Sequence, residues 1–270
     1  MDKLVKGKTI QLANGKTVTE KRSWVPVYVL LILIFTWLAM DVTRFNFSTL
    51  MTRGSQFFVI LGDMMPPNWG FLNRVWQPLF DTIKMSLLGS LVGALVAMPL
   101  ALLASANIVN NRFIAGFFKL FLSVLRTLPT LVTALIATFI FGLGTMAGTL
   151  AIFLFTVAYV GKLTYEQIES LDMSTFYALE SMGLTRLQAF RYAVLPEILP
   201  TYLSTSLFNF EGNLRYASIL GYVGAGGLGI ILNERLGWRE YANVGTILVV
   251  LVVTVALIES LSEYCRRKLQ

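Results

Sequence analysis

The stretch GYVGAGGLG, Gly221 to Gly229, carries the spacing G-x-G-x-x-G at Gly224, Gly226 and Gly229. That spelling is the fingerprint by which a strand–turn–helix unit brings backbone against a dinucleotide pyrophosphate. It needs a strand before it, a helix opening at it and an acid about 20 residues on. Here an apolar span precedes it, Asn243 and Val244 stand where the acid belongs, and no βαβ pattern occurs. The dinucleotide reading fails. Two readings remain. One is a flexible outer loop. The other is a compact turn in which Gly224, Gly226, Gly227 and Gly229 let backbone approach another helix or a solute, as only glycine permits. Irregular backbone at membrane depth survives only where it is buried in protein or lines a watery cavity.

Three charges lie within apolar stretches: Arg126, Glu211 and Arg215. Charges inside a span are costly and mark functional candidates. Glu211 and Arg215 are four residues apart with Glu first, the favourable order for a helical ion pair. They either neutralise one another in the interior, or Arg215 faces a pathway while Glu211 fixes its rotamer. An Arg fork suits the oxygens of an anionic solute. A tight anion site would oppose release, so only a weak contact is expected. Arg126, just before Leu128-Pro129, belongs either to a helix break or to an interface reached by snorkelling. Asn209 and Asn213 add neutral hydrogen bonds on the same span.

The absence of histidine removes the usual metal ligand and the usual general base near neutral pH. No metal site and no catalytic residue is assigned. Cys265 is the one cysteine, so no internal disulfide forms. The net charge of +7 reads as membrane topology, not nucleic-acid binding, because no basic face with interleaved aromatics accompanies it.

Composition supplies the frame for these residues. The chain is 56% hydrophobic and 14% charged, against about 25% charged residues in a soluble domain. It reads as an all-α polytopic membrane protein. Six spans are predicted: 24–40, 85–111, 119–141, 147–165, 198–220 and 241–262. Gly142 to Gly148 supplies the turn between the third and fourth. With the N-terminus inside, fourteen Lys and Arg fall on inner segments and six on outer ones, so both termini are expected in the cytoplasm of a bacterial inner membrane. Residues 1–23 form a polar, basic tail with a hairpin signal at Asn14-Gly15. Residues 24–265 form the membrane domain, and 266–270 a basic tail. Pro99 and Pro129, with Gly89 and Gly93, are expected flex points.

The cytoplasmic loop Ser170 to Pro200 predicts two short helices near 174–194. Ser174 caps the first and Gly183 ends it as a left-handed residue. Thr185 with Gln188 is a capping box for the second, which Leu195-Pro196 stops. Phe176, Tyr177, Leu179 and Met182 are more apolar than a free helix carries. They either pack on the chain's own helix ends or dock in a partner's groove.

This loop resembles the E-A-A motif of binding-protein-dependent ABC importer permeases. Ala178, Gly183, Leu195 and Pro196 match it, and Tyr177, Leu179 and Ala193 depart. Ser206 to Leu232 is similar to the phosphonate permease branch, through Phe210, Glu211, Asn213, Arg215, Val223, Gly224, Ala225, Gly226, Gly227 and Gly229. The resemblance implies a type I importer permease fold like that of the methionine permease. It implies two permease copies, two ATPase subunits and an extracytoplasmic solute-binding protein. ATP and Mg would then belong to the partners, and no cofactor to this chain, in accord with its lack of a G-x-x-x-x-G-K-[ST] loop. Phe176, Tyr177, Ala178, Leu179, Met182, Gly183, Leu184, Thr185, Leu195 and Pro196 would be the ATPase-coupling residues. Phosphonate or a related phosphorus oxyanion is the expected solute. Phosphite, another oxyanion or methionine on the same fold is the alternative. An ion-driven secondary transporter would need relay groups or inverted repeats, and one Glu-Arg pair is all the sequence offers. A membrane-embedded enzyme lacks a carboxylate pair or a Cys-His set.

Overall fold

A computed structural model describes residues 9–11, 15, 17–19 and 24–269. Two compact units divide the chain, residues 1–60 and 61–270. In the first, β1 (Thr9–Gln11) pairs antiparallel with β2 (Thr17–Thr19). The register Thr9↔Thr19, Ile10↔Val18 and Gln11↔Thr17 is centred on residue 14. A two-residue Asn14-Gly15 turn would pair 13 with 16, so the expected type I′ register does not form; Asn14 itself lies outside the described residues. α1 (Val25–Val42) follows, with no buried residue. α2 (Phe47–Asp63) comes next and runs past the end of the unit at residue 60. The span prediction has this segment in an outer loop, although Phe47, Leu50, Met51, Phe58 and Leu61 recur at helical spacing.

The second unit is a bundle. α3 (Leu72–Ala104) is 33 residues long and begins 13 residues before the expected Met85, so Lys84 lies inside a helix, not in a loop. Polar side chains at Asn73, Arg74, Gln77 and Asp81 hid its first turns from a hydropathy reading. α4 (Arg112–Thr127) and α5 (Thr130–Phe141) meet at 89° across Leu128-Pro129. The predicted third span is therefore a broken one, because proline disfavours helix at the residue before it. α6 (Thr145–Ser170), α7 (Ser174–Ser181) and α8 (Arg186–Ala189) come next. A π-helical turn, Phe190–Val194, leads directly into α9 (Leu195–Leu220). Pro196 thus opens α9 within its first turn, where its missing N–H costs nothing, and does not stop the preceding helix as expected. A 3-10 turn (Gly221–Val223), α10 (Leu228–Gly237) and α11 (Tyr241–Leu269) complete the chain. Arg266, Arg267 and Lys268 occupy the last turn of α11 and are helical, not a separate tail. Among the described residues four helices are long and apolar enough to cross a membrane, or up to six if each bent pair counts as one.

The bundle turns on the α3–α6 contact. Gly89, Gly93, Ala97 and Ala101 recur every four residues along one buried face of α3. This small-residue stripe lets two helices approach closely. A Cβ at Gly89 would meet Ile152 Cγ2 at 2.8 Å, and one at Gly93 would meet Thr156 Cβ at 2.7 Å. Gly89 and Gly93 are therefore packing residues, not the flex points expected.

Candidate functional site

Two regions hold the residues singled out by sequence. The first is the middle of α9. Asn209 Oδ1 accepts from Thr156 Oγ1 at 2.8 Å and from Asn213 Nδ2 at 2.9 Å. Asn213 Nδ2 also reaches Ser90 Oγ at 2.8 Å and Thr156 Oγ1 at 2.9 Å. With two protons for three acceptors, it serves two at a time. All four side chains are buried. The knot ties α3, α6 and α9 together, because unpaired polar groups at this depth are costly.

Glu211 and Arg215 do not pair with each other. Glu211 is buried, and Arg266 Nη2 of α11 comes within 3.2 Å of its Oε1 without the alignment of a hydrogen bond. Arg215, half exposed, faces Glu259 of α11 at 3.7 Å. The neighbouring helix offers both residues opposite charges, so the local four-residue spacing is overridden. Arg215 and Asn209 share a cavity of about 360 Å³ with Phe155, Tyr159, Phe208 and Tyr216. The Arg126 guanidinium stands 5.8 Å from the Tyr159 ring centre. Asn209 and Arg215 thus border one space and Arg126 stands against Tyr159 of its wall without lining it, whereas Asn213 serves the knot and Glu211 turns to α11.

The glycines lie elsewhere. Gly224, Gly226 and Gly227 have φ of 74°, 89° and 72°, the left-handed region that favours glycine. A Cβ at Gly226 would meet Thr145 N at 2.7 Å, and one at Gly221 would meet Gly229 C at 2.0 Å. Thr82 Oγ1 on α3 accepts from Leu228 N at 2.7 Å, and Gly144 N donates to Gly224 O at 3.0 Å. The segment is the compact turn of close backbone approach, not a loose loop. Gly226 and Gly227 border a cavity of about 760 Å³ with Asn73, Arg74, Gln77 and Asp81. Those α3 residues escaped the sequence reading, though Asn73, Gln77 and Asp81 recur every four residues along one helix face. Tyr159, Tyr216 and Thr156 also escaped it, since one aromatic or hydroxyl in a span carries no signal.

The second region is the bend between α7 and α8. Phe176 is fully buried among Ile168, Met173, Ala189, Phe190, Val194 and Ile198. It anchors the loop to the body and is not on the surface where a coupling contact would need it. Leu179 and Leu195 pack against the same core. Ser174 is the first residue of α7, not its cap; the Asp172 carboxylate accepts from its N–H at 3.0 Å and from its hydroxyl. Those two bonds, the hydroxyl's first, hold the Asp172 carboxyl below its usual 3.8. Gly183 has φ of 96°. Leu184 N donates to Leu179 O at 3.2 Å and Gly183 N to Glu180 O at 3.0 Å, the Schellman closure. Thr185 and Gln188 form the expected capping box. Arg186 Nε reaches Glu180 Oε1 at 2.9 Å and Arg186 Nη1 reaches Ile108 O at 2.7 Å, which fixes the bend to the α3–α4 connection. On the outside, Tyr177, Met182 and Leu187 are 49%, 75% and 72% exposed. Ala178, Gly183, Thr185 and Pro196 are exposed beside them, and Leu184 is half-buried.

Residues 89–264 match the family described as binding-protein-dependent transport system inner membrane component, and the chain belongs to it. It is a multi-pass membrane component and not an enzyme.

It is also similar to named permeases. It is 30% identical over 220 residues to the phosphite transport system permease protein PtxC of Stutzerimonas stutzeri, covering 82% of this chain and 80% of that one. It is 30% identical over 207 residues to the phosphate-import permease protein PhnE of Mycolicibacterium smegmatis, covering 76% of this chain and 39% of that longer one. The fold is that of the permease in inward-facing MetNI methionine ABC transporter structures, with a TM-score of 0.67 at 21% identity over 75% of this chain and 99% of the other.

Proposed function

We propose that the chain is the permease of an ATP-driven importer for phosphonate or a related phosphorus oxyanion, working by alternating access. The observation that carries this reading is the bend at Gly183. Its outer face of Tyr177, Met182 and Leu187 is apolar and exposed, while Phe176 and Arg186 fix its inner face to three helices. Such an element transmits a push without deforming. An ATPase subunit seated on it would move the bundle when ATP draws two ATPases together. ATP and Mg chemistry would stay in those partners, and a binding protein would deliver the solute from the opposite side. Two copies of this chain would form the pathway, with both termini cytoplasmic, as the Lys and Arg bias supports.

The names of the relatives support a phosphorus oxyanion, and Arg215 in the α9 cavity supplies a matching charge. Contact there would be transient, with recognition left to the binding protein. The Gly224–Gly229 turn and the polar face of α3 would border the outer part of the path.

The test is uptake in vesicles holding the chain with its ATPase and binding protein. Met182→Asp with Leu187→Asp should abolish uptake and solute-stimulated ATP hydrolysis while the chain stays folded. Arg215→Gln should slow phosphonate and phosphite uptake about 10-fold if it removes a charge-assisted contact of about 1.5 kcal/mol. Uptake of methionine in preference to either oxyanion would overturn the solute assignment and leave the machine intact. Crosslinks between Cys265-free chains bearing single cysteines would show whether the pathway joins two copies.

A further inference from the structure

The two faces of α9 border different spaces. Phe208, Gly212, Arg215 and Ile219 line the basic cavity. Leu203, Leu207 and Phe210, on the opposite side of the same helix, close with Leu91 and Leu95 of α3 and Cys265 of α11 around an apolar slot of about 430 Å³. If the basic cavity belongs to the solute path, the slot faces away from that path, toward the bilayer.

Its chemistry is apolar throughout. The three hydroxyls that touch it are each bonded within the protein. Ser206 Oγ donates to Tyr202 O at 2.8 Å, Tyr202 OH donates to Ala94 O at 2.6 Å, and Ser90 Oγ accepts from Asn213. Water gains nothing there, since a buried water needs two to four polar partners. The slot runs along α3 from Leu87 to Leu95 and along α9 from Tyr202 to Phe210, roughly 12 Å at the helical rise. Its apolar lining along about 12 Å suits flexible methylene chains.

Charge marks one end. Cys265 and Leu269 of α11 face the slot. Arg266 and Lys268 lie to either side of that line, at about 100° per residue. Arg266 uses one nitrogen on Glu211 and stands 5.8 Å from the Phe208 ring centre, which leaves further donors on its fork. Lys268 is exposed, 4.6 Å from the Tyr264 ring centre. α11 has 29 residues, about 43 Å of helix against a hydrocarbon core of about 30 Å. The helix outreaches that core, and its basic last turn is the end suited to headgroups.

We propose that this slot is a binding site for an anionic phospholipid, with an acyl chain between α3 and α9 and the phosphate held by Arg266 and Lys268. Bound there, the lipid wedges α3 and α9, which carry Ser90, Asn209 and Asn213 of the knot, against α11, which carries Arg266. The inference needs the membrane setting of the family but not the identity of the solute.

Native mass spectrometry of the full chain released from mild detergent tests it, with phosphatidylglycerol and phosphatidylcholine of the same acyl chains as probes. Phosphatidylglycerol should be retained at least about 5-fold better, since each basic residue near the surface is worth about 1 kcal/mol toward anionic lipid. Lys268→Gln should cut that preference about 5-fold and leave phosphatidylcholine retention unchanged. Ser206→Trp or Leu91→Trp, filling the slot from either wall, should remove both adducts. A diazirine side chain at Leu207 should capture lipid in a chain otherwise unaltered, so the result stands even if the tryptophan variants misfold. Equal retention of the two lipids, or capture at Leu207 of a peptide from another copy of the chain or from α1, would overturn the proposal.

Discussion

The bend at Gly183 and the middle of α9 are both polar interruptions of an apolar chain, held by opposite means. The bend is built largely from neighbours in sequence. Its Schellman closure spans five residues, its capping box three, and its Arg186–Glu180 pair six. The middle of α9 is built from partners 53 to 123 residues away: Thr156 for Asn209, Ser90 for Asn213 and Arg266 for Glu211. A local device moves as one piece and suits a handle. A long-range knot registers three helices and suits a hub about which they rearrange.

The sharpest way to break this contrast is Phe176, which with the Arg186–Ile108 bond ties the bend to the body. Phe176→Ala should cost about 3–5 kcal/mol, read as a large drop in the thermal midpoint of the purified chain. Met182→Ala, on the exposed face, should change stability by no more than about 0.5 kcal/mol. If both variants melt alike, the inner and outer faces of the bend are not distinct.

The same contrast explains what the sequence made legible. Capping residues and a left-handed glycine act over three to six residues, so the two loop helices and their turn were readable from Ser174 to Gln188. Apolar runs of span length were readable too, because the bilayer sets their length. Polar first turns concealed the start of α3, and amphipathic spacing concealed α2. The pairing of Glu211 was misread because a four-residue rule is local, while Arg266 and Glu259 lie on another helix. The knot was half legible: Asn209 and Asn213 stand out in an apolar span, but Ser90 and Thr156 are ordinary until α3 and α6 are brought together. Gly89 and Gly93 resembled hinges for the same reason, since a small-residue stripe takes its meaning only from the helix laid against it.

A charge swap tests the α9–α11 pairing directly. Glu211→Arg alone should lower stability by about 2 kcal/mol, less than for a fully buried pair because the Arg266 side chain is 21% exposed. Adding Arg266→Glu should recover most of the loss. Adding Arg215→Glu instead should recover little. The reverse ranking, measured as folded yield and thermal midpoint, would restore the pair that local spacing suggests and erase the distinction between the two regions.

Within the bend, Thr185→Ala removes one half of the capping box and should cost about 1 kcal/mol. Because the contact is local, the loss should not grow when Asn213→Ala is added. A coupling beyond about 0.5 kcal/mol in that double-mutant cycle would mean that the handle and the hub share energy after all.

The smallest effect belongs to Asp172, which holds the start of α7 through Ser174. Its carboxyl is held below the usual 3.8 by those two hydrogen bonds. A carboxyl lowered on folding contributes stability that is present above its unfolded value and is lost as pH falls through the folded one. Asn at this position still accepts from Ser174 but does not titrate. The midpoint of wild type should therefore exceed that of Asp172→Asn slightly at pH 7, and the gap should close as pH falls below about 3.8. Full exposure of the group keeps the gap small. A gap that stays constant from pH 7 to pH 3 would trace the difference to packing of the amide and remove Asp172 from the local set that holds the bend.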